Sequence, residues 1–455
     1  MGAPYYPQIS QKHLRSKTTK SKPFVARVSS SLSNLRNLRI VWGPTGGTLY
    51  SISLSSVSSQ LEAMIVKETL AQLVSIDSVS SRSNAEIIRL LSNRCEAMGL
   101  NVKQFPYADE YGVEKINMVA LTGADFSDTT SVELALVGHT DTVPYDPNWT
   151  EATTLTEREG KLFARGACDT KGFIAAALTA IEGIDLKLLR KPLALIFTAD
   201  EEVGLMGAKR LAEIRPLRAR YSIVGEPTSL QPMRAGKGYC VAEVIVHGRE
   251  GHSAYPALGA SAIFRAARVI VRIEQIAEDL KAGRHESFDP PYTTLNIGVI
   301  RGGTAKNVIP GECRFTLEWR PIPGQPSSYL LDPLQMALKE EKKIDPGFEC
   351  EVIANRADSG FEVSDASQIV QLLERLSGKT AGTVAFGTEA AQMIELGAEA
   401  VVMGPGNIRV AHQTGEFVPI DELERCVGIL SQAVEVCCLQ SESPQVPLNP
   451  QNHLR

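Results

Sequence analysis

Acidic residues and histidines occur in five short segments of the sequence where they could bind metal ions. Three of these segments directly follow apolar runs that are typical of buried strands. The fourth precedes a helical stretch of small residues, and the fifth follows a Gly-Pro-Gly loop. Since ligands bind beyond the carboxyl ends of the strands in an open α/β sheet, we expect the five segments to converge. They are His139-Thr140-Asp141, Asp200-Glu201-Glu202, Gly225-Glu226-Pro227, Asp169 within Ala167–Gly172, and His412.

The chemistry that suits such a group is the binding of two divalent cations. A single Asp or His at the end of a strand is more often a cap or a hydrogen-bonded polar group. Several carboxylates brought together, however, repel one another unless cations lie between them. Zinc binds imidazole and carboxylate groups, and two ions can share one bridging carboxylate. The predicted metal ligands are His139, Asp169, Glu202, Glu226 and His412, with Asp169 as the bridge.

Two further acidic residues are expected to assist the metal ligands. Asp141 lies two residues beyond His139, where it can accept a hydrogen bond from the second ring nitrogen and fix the ring. Glu201 is adjacent to the ligand Glu202 but would point in another direction. It is therefore free to act as the general base toward a water activated by the metal ions.

The hydrophobic pattern around these segments predicts an α/β fold with a mostly parallel, doubly wound sheet. Apolar runs between helical stretches indicate strands that are buried on both faces. These strands are predicted at 132–138, 193–199, 221–224 and 400–403. After Gly236 the pattern changes to alternating polar and apolar residues, which indicates an inserted α+β unit of β-α-β-β type. Its predicted elements are strands at 239–247, 293–300 and 312–320 and a helix at 261–280.

These patterns divide the chain into segments. Residues 1–61 contain eight Lys or Arg, thirteen Ser and no Asp or Glu. We interpret this leader as disordered or as non-native sequence ahead of a start near Met64, with an organellar transit peptide as the alternative. The predicted segments are the leader (1–59), a first part of the catalytic domain (60–236), the inserted domain (237–345), a second part of the catalytic domain (346–440) and a disordered tail (441–455).

Composition and charge exclude some classes of function. The chain has 455 residues, of which 43% are hydrophobic and 22% charged, as expected for a globular protein of two domains. It contains no apolar run long enough to predict a transmembrane helix. The net charge is −5 although the leader is basic, so the body of the protein is acidic, which argues against a nucleic-acid partner. The eight cysteines form no CxxC pair, and reduced thiols in a cytoplasmic protein are expected.

Four motifs resemble those of the aminoacylase and carboxypeptidase-G-like family of di-zinc hydrolases. They are GHTDTVP (138–144), ADEE (199–202), GEPT (225–228) and AHQ (411–413). The resemblance covers roughly residues 60–440, including the insertion. It implies the ligand roles given above, the base role of Glu201 and the supporting role of Asp141. It also implies an N-acyl amino acid as the substrate.

Narrower motifs resemble those of the acetylornithine deacetylases within this family. They are GEPTSLQP (225–232), TEA (388–390) and GPGNIRVAHQ (404–413). The resemblance implies removal of the acetyl group from N2-acetyl-L-ornithine, a reaction of arginine biosynthesis, with two zinc ions or with cobalt. Glu389 is then the expected partner of the cationic side chain of ornithine. Succinyl-diaminopimelate desuccinylase, aminoacylase and metallo-carboxypeptidase share the metal site and remain alternatives, as does a zinc-bound scaffold dimer without catalysis.

The insertion resembles the lid and dimerisation domain of the same family. Within it, Gly251-His252-Ser253 matches a histidine that binds the developing oxyanion, often across a dimer. Asn307 and Arg320 match positions that contact substrate carboxylate or carbonyl groups, and the planar fork of Arg can bind both oxygens of a carboxylate. A surface ion pair is the alternative interpretation of Arg320. The resemblance therefore implies a homodimer that forms through this lid domain.

Two segments depart from the family pattern. Gly236-Lys237-Gly238 stands where the deacetylases often have His-Lys-Gly. Cys168-Asp169-Thr170 stands where an Asp followed by Met or Asp is usual. Because Asp169 itself is retained, these departures bear on acyl and side-chain preference rather than on the presence of activity.

Overall fold

The structure is a computed structural model that describes residues 54–123, 125–126 and 130–439. The predicted tail at 441–455 and the first 53 residues of the predicted leader lie outside these residues. The first helix starts at Leu54, earlier than the start predicted at residue 60. None of the helices in the described part of the chain is both long and apolar enough to cross a membrane.

The elements alternate between strands and helices in the first part of the chain, as predicted. The strands are β1 (Asn101–Ala108), β2 (Glu114–Leu121), β3 (Ser131–His139), β4 (Thr156–Arg158), β5 (Lys161–Phe163), β6 (Leu193–Thr198), β7 (Arg218–Val224), β8 (Met233–Gly236), β9 (Tyr239–His247), β10 (Gly251–His252), β11 (Thr294–Gly302), β12 (Val308–Ile309), β13 (Glu312–Arg320), β14 (Glu349–Asp358), β15 (Phe361–Glu362), β16 (Gly382–Val384), β17 (Glu399–Val402) and β18 (Phe417–Pro419). The α-helices are α1 (Leu54–Ser75), α2 (Ala85–Ala97), α3 (Lys171–Glu182), α4 (Met206–Ile214), α5 (Ala262–Leu280), α6 (Leu331–Ile344), α7 (Gln368–Ser377), α8 (Ala390–Glu395) and α9 (Ile420–Val434). Gly99 follows α2 with a φ of 86°, a left-handed conformation that glycine adopts without steric cost at the end of a helix.

The larger sheet has nine strands, and its centre is parallel. Strands β6, β3, β7 and β17 lie side by side in that order and run in parallel. Antiparallel strands β2 and β1 extend one edge, and β8 and β15 extend the other. The ninth strand, β16, pairs in parallel with β8. Alternate residues of β3 enter two separate hydrophobic clusters, with Leu134 and Leu136 in one and Ala135 and Val137 in the other. Helices α1, α2, α3, α7 and α9 contribute to the first cluster, and α4 and α8 to the second, so the predicted doubly wound fold is confirmed.

The inserted unit forms a second, antiparallel sheet of four strands. Their order is β11-β13-β9-β14, and α5 and α6 pack over a core that contains Phe315 and Trp319. Helix α5 begins after Ser261, whose hydroxyl accepts a hydrogen bond of 3.3 Å from the backbone N–H of Phe264. Such a cap satisfies one of the free N–H groups of the first helical turn. The predicted β-α-β-β order is therefore present as β9-α5-β11-β13.

Strand β14 differs from the sequence interpretation. The sequence also predicts a strand at 351–354, as part of the α/β pattern that resumes after the insertion at about residue 346. In the structure β14 instead pairs with β9, from Glu349 opposite His247 to Asp358 opposite Tyr239. An alternating pattern indicates a half-exposed strand but does not reveal which sheet the strand joins. The domain boundaries themselves remain predictions.

A small sheet of three strands links two distant parts of the chain. Strand β5 pairs with β4 on one side and with β18 on the other. The chain reaches Asp169 shortly after β5, and it passes His412 shortly before β18. This sheet, which was not predicted, therefore joins the segments that carry two of the predicted ligands.

Candidate metal centre

The predicted metal ligands lie on loops at one edge of the larger sheet. His139 is the last residue of β3, Glu202 follows β6 and Glu226 follows β7. Asp169 lies just before α3, and His412 lies in the loop between β17 and β18. Because β3, β6, β7 and β17 run in parallel, their carboxyl ends bring these loops together.

Asp169 is the centre of the cluster. Its Oδ1 lies 3.1 Å from Nε2 of His139, and its Oδ2 lies 3.2 Å from Nε2 of His412. The same Nε2 of His412 lies 3.1 Å from Oε2 of Glu202. Ligand atoms of His139, Asp169 and Glu202 all lie within 4.8 Å of one another. Each oxygen of Asp169 therefore faces a different histidine, which is the arrangement expected of a bridging carboxylate.

Buried carboxylates give this cluster an excess of negative charge. Burial raises the pKa of Glu226 well above its ordinary value, and the neighbouring charges of Asp169 and Glu201 raise it further. Burial likewise raises the pKa of Glu201 and of Glu202. Like charges held together in a buried site disfavour the ionised form, and a cation between them removes that penalty.

The donor groups fit divalent transition-metal ions. Imidazole and carboxylate are the groups that zinc and its neighbours bind. Oε1 of Glu202 is buried and has no hydrogen-bond partner among the described residues, so it is free to act as a ligand. Burial alone would lower the pKa of His139, but hydrogen bonds with Asp141 and Asp169 raise it well above its usual value. Surroundings that favour a proton on this ring also favour a metal cation there.

Asp141 connects the loop after β3 with the loop after β6. The Nδ1 atom of His139 lies 3.0 Å from the backbone oxygen of Asp141 and 3.6 Å from its carboxylate Oδ1. The ring thus contacts the main chain of Asp141 more closely than its side chain. The carboxylate accepts hydrogen bonds from the backbone N–H groups of Glu201 (3.2 Å) and Glu202 (3.3 Å) and from the hydroxyl of Ser80 (2.8 Å). Asp141 therefore positions the base candidate Glu201 and the ligand candidate Glu202 as well as His139.

A buried network that the sequence did not reveal supports the same loop. Nζ of Lys115 lies 2.8 Å from Oδ1 of Asp200, and the hydroxyl of Tyr107 donates a hydrogen bond of 2.9 Å to Oδ2. Asp200 has a φ of 57°, so its backbone is left-handed just before Glu201 and Glu202. Tyr107 and Lys115 come from the β1–β2 hairpin, and no local motif connects them with Asp200.

Two of the predicted catalytic and substrate-binding residues lie together on the lid domain. His252 in β10 pairs with Val308 in β12, and the backbone N–H of Ser253 donates a hydrogen bond of 3.1 Å to the oxygen of Asn307. Nδ1 of His252 accepts a hydrogen bond of 3.1 Å from the N–H of Ala254. Among the described residues, no hydrogen bond or ion pair joins His252 or Asn307 to the metal-ligand cluster.

Arg320 and Glu389 occupy different surroundings. Nε of Arg320 lies 2.9 Å from Oε1 of Glu318, its Nη1 donates a hydrogen bond of 2.9 Å to the oxygen of Ala385, and its guanidinium stacks on Tyr239. The ion pair named as the alternative for Arg320 is therefore present. Glu389 is only 1% exposed, and burial raises its pKa to about 7. Its Oε1 has no hydrogen-bond partner within the described chain.

Residues 135–436, well over half of the chain, match Peptidase family M20/M25/M40. The chain belongs to this family. Its members are metal-dependent hydrolases, and this M20 chain is a metal-dependent amidohydrolase with the family's α/β fold. The matched range contains all five predicted metal ligands.

Individual relatives of this M20 chain are similar over most of its length. A Myxococcus xanthus protein named acetylornithine deacetylase is 52% identical over 374 residues, which cover 82% of this chain and 97% of that protein. A Staphylococcus aureus tripeptidase structure has a TM-score of 0.67 and 22% identity, and the alignment covers 82% of this chain and 98% of that one. A Bacillus subtilis structure described as a dinuclear metal binding peptidase has a TM-score of 0.56 and 12% identity, and the alignment covers 83% of this chain and 99% of that one. The two structures show that the fold is shared.

Proposed function

We propose that this protein is an acetylornithine deacetylase, which hydrolyses N2-acetyl-L-ornithine to ornithine and acetate. The observation that carries the proposal is the cluster in which Asp169 contacts His139 and His412, and His412 contacts Glu202. The identity of 52% with the Myxococcus xanthus protein of that name supports the choice of substrate. The reaction belongs to arginine biosynthesis.

The proposed cofactors are two zinc ions, with cobalt as the alternative for the same ligands. Asp169 would bridge the two ions. The contacts of His412 with Glu202 support their assignment to one ion, which leaves His139 and Glu226 for the other. When bound there, the ions would lower the pKa of a water molecule and polarise the acetyl carbonyl group.

The proposed catalytic roles belong to Glu201, Asp141 and His252. Glu201 takes the proton of the attacking water and returns it to the leaving α-amine, which is the usual double role of a general base. Asp141 holds Glu201 in place through its backbone N–H. His252 donates a hydrogen bond to the oxyanion that develops on the acetyl carbonyl.

The proposed substrate contacts use Arg320, Asn307 and Glu389. Arg320 binds the α-carboxylate of acetylornithine, and its stacking on Tyr239 supports this role because it presents the guanidinium in one orientation. Asn307 contacts the acetyl or carboxylate oxygen from the lid. Glu389 is the proposed partner of the ornithine ammonium, supported by its unpartnered Oε1 in the described structure. Because this carboxylate is buried, the contact requires that the ammonium group of the substrate reach a position that is closed to solvent in the structure.

A homodimer is proposed to form through the lid domain. Strand β11 is at the edge of the four-stranded sheet, where its backbone groups are open to pairing. Ile300 in β11 is 53% exposed, and Phe264 and Val271 in α5 are 73% and 62% exposed. Apolar side chains grouped beside an open strand edge favour a protein partner. A second copy could also bring His252 to a metal centre that it does not contact within its own chain.

A substrate panel tests the proposed function. Purified protein loaded with zinc would be assayed with acetylornithine, succinyl-diaminopimelate, acetylmethionine and dipeptides. We expect kcat/KM for acetylornithine to exceed that for each of the others at least tenfold, which corresponds to about 1.4 kcal/mol of transition-state binding. A preference for another member of the panel would assign the chain to one of the alternative hydrolases. Absence of any hydrolysis would favour the zinc-bound scaffold.

A further inference from the structure

A buried ion pair lies beside the metal-ligand cluster and has no role in the mechanism described above. Nη1 of Arg165 lies 2.5 Å from Oε2 of Glu416, and the two side chains are 4% and 1% exposed. The two residues are 251 positions apart in the sequence. Burying two charges is costly even when they are paired, so a simple gain in stability is a weak explanation for this pair. Its remaining contacts indicate what it does.

Glu416 holds the main chain of Asp169. Its second oxygen, Oε1, accepts a hydrogen bond of 3.0 Å from the backbone N–H of Asp169 and one of 2.9 Å from that of Cys168. One oxygen of the carboxylate therefore faces Arg165, and the other fixes the residue that carries the proposed bridging carboxylate. Hydrogen bonds to an ionised acceptor are about twice as strong as neutral ones.

Glu416 also fixes the loop that carries His412. Its backbone N–H donates a hydrogen bond of 3.2 Å to the oxygen of Gln413, directly after His412. Its backbone oxygen accepts a hydrogen bond of 3.2 Å from the N–H of Ala164, on the segment that leads to Asp169. The side chain and the main chain of Glu416 thus join the same two segments. These two segments carry Asp169 and His412, so the contact of 3.2 Å between the two side chains depends on how the segments are positioned relative to each other.

Arg165 connects the pair with a third segment. Its Nη2 donates a hydrogen bond of 3.3 Å to the oxygen of Pro144, which lies shortly after His139 and Asp141, and its guanidinium stacks on Trp149. The guanidinium is therefore fixed by Pro144 and Trp149 as well as by its ion pair with Glu416.

We propose that Glu416, oriented by Arg165, is a positioning residue that sets the spacing of Asp169 and His412 and thereby the affinity of the site for divalent ions. In this role the carboxylate acts through Arg165 and the main chain of Cys168 and Asp169 rather than as a ligand. The inference rests on the metal site of the proposed function. It extends that function to residues outside the ligand set.

The variant Glu416→Gln tests this role. Glutamine has the same shape, but only one of its two terminal atoms can accept a hydrogen bond, so either Arg165 or the backbone N–H groups lose their acceptor. We expect zinc affinity to fall about 10- to 100-fold, as is typical when a residue that supports metal ligands is changed. The affinity is measured by titrating metal-free protein with zinc against a coloured chelator, and the visible spectrum of the cobalt form reports ligand geometry. Saturating metal should restore most of kcat and leave KM unchanged.

Asp345→Asn is the matched control. Asp345 also accepts hydrogen bonds from an arginine, Arg265 (2.8 and 3.0 Å), and from a backbone N–H, that of Gly347 (3.1 Å), but it lies next to the lid helices. We expect the zinc affinity of the Asp345→Asn protein to stay within about twofold of that of the unaltered protein, because in the described part of the chain no hydrogen bond or ion pair joins Asp345 to a metal-ligand segment. A second variant, Arg165→Lys, keeps the charge and leaves Glu416 bound to the main chain of Asp169. Its zinc affinity should fall between those of the unaltered protein and Glu416→Gln, and it provides the test if Glu416→Gln does not fold.

The results separate this inference from the proposed substrate. A folded Glu416→Gln protein, or failing that a folded Arg165→Lys protein, with unaltered zinc affinity and cobalt spectrum would overturn the positioning role and leave the deacetylase proposal in place. If the variants bind zinc more weakly but the unaltered protein does not hydrolyse acetylornithine, the positioning role is supported and the proposed substrate is refuted. Failure of the unaltered protein to bind divalent ions would refute both.

Discussion

Replacing Asp141 with asparagine tests how the protein holds its candidate ligands. The carboxylate is buried, and its Oδ1 accepts the N–H of Glu201 while its Oδ2 accepts the N–H of Glu202 and the hydroxyl of Ser80. Burial alone would raise the pKa of Asp141, but the neighbouring His139 ring and the hydrogen bond from Ser80 lower it, so the ionised form is present at neutral pH. Asparagine keeps the shape and one of the two acceptors.

The cost of this change follows from the donors that lose an acceptor. If the amide nitrogen replaces Oδ2, the hydroxyl of Ser80 can rotate and accept, but the N–H of Glu202 cannot. A buried N–H without a partner costs about 1–3 kcal/mol. The unpaired N–H would lie on the loop that carries Glu201 and the ligand candidate Glu202. We therefore expect the Asp141→Asn protein to bind zinc about 10- to 100-fold more weakly than the unaltered protein.

The assay is a zinc titration of metal-free protein at constant pH, with circular dichroism to establish that the variant is folded. Asp345→Asn is again the control, because Asp345 also accepts hydrogen bonds from two groups, the guanidinium of Arg265 and the N–H of Gly347, and among the described residues it has no hydrogen bond or ion pair with a metal-ligand candidate. Zinc affinity of the Asp141→Asn protein within about twofold of the control would refute the reasoning.

Three further predictions concern the base, the dimer and the lid. Glu201→Gln removes the general base and should lower kcat by about 10²- to 10⁴-fold with zinc stoichiometry unchanged; a kcat close to normal would exclude the base role. A charge introduced by Phe264→Asp on the exposed face of α5 should convert a dimer into a monomer in analytical ultracentrifugation, and a persistent dimer would locate the interface elsewhere. Hydrogen bonds from Arg265 lower the pKa of Asp345, so this pair stabilises the folded form above about pH 4 and loses its effect as the pH falls below that value. Asp345→Asn should therefore lower the melting temperature at neutral pH more than in acid, and an equal effect at both would contradict the assignment.

The elements that carry the candidate metal ligands could be predicted from local patterns. Strands β9 and β13 have the predicted bounds, β3 and β6 differ from theirs by no more than one residue at either end, and β7 begins three residues earlier than predicted. Apolar runs of this kind are stable only as strands covered on both faces, so their position in the centre of a doubly wound sheet follows from composition and length. The convergence of their carboxyl ends follows from parallel pairing.

Other features of the fold depend on partners that are remote in the sequence. The local pattern predicts a strand within β14, but the partner strand β9 lies about a hundred residues earlier, and nothing in the local pattern indicates this pairing. The three-stranded sheet of β4, β5 and β18 consists of strands too short to give a periodic signal. Pairing between remote segments is decided by the whole packed structure rather than by local sequence.

The sequence by itself determined which residues are the candidates for binding metal ions, because His139, Asp169, Glu202, Glu226 and His412 are of the right types and stand at the ends of recognisable elements. The tertiary structure decided how these residues are held. Asp141 proved to support the loop of Glu201 and Glu202 as well as His139, and Glu416, which no motif distinguished, holds the main chain of Asp169 from 247 residues away. The physical reason is that a ligand's type is a local property, whereas a buried hydrogen-bond partner is supplied by whichever segment the fold brings into contact.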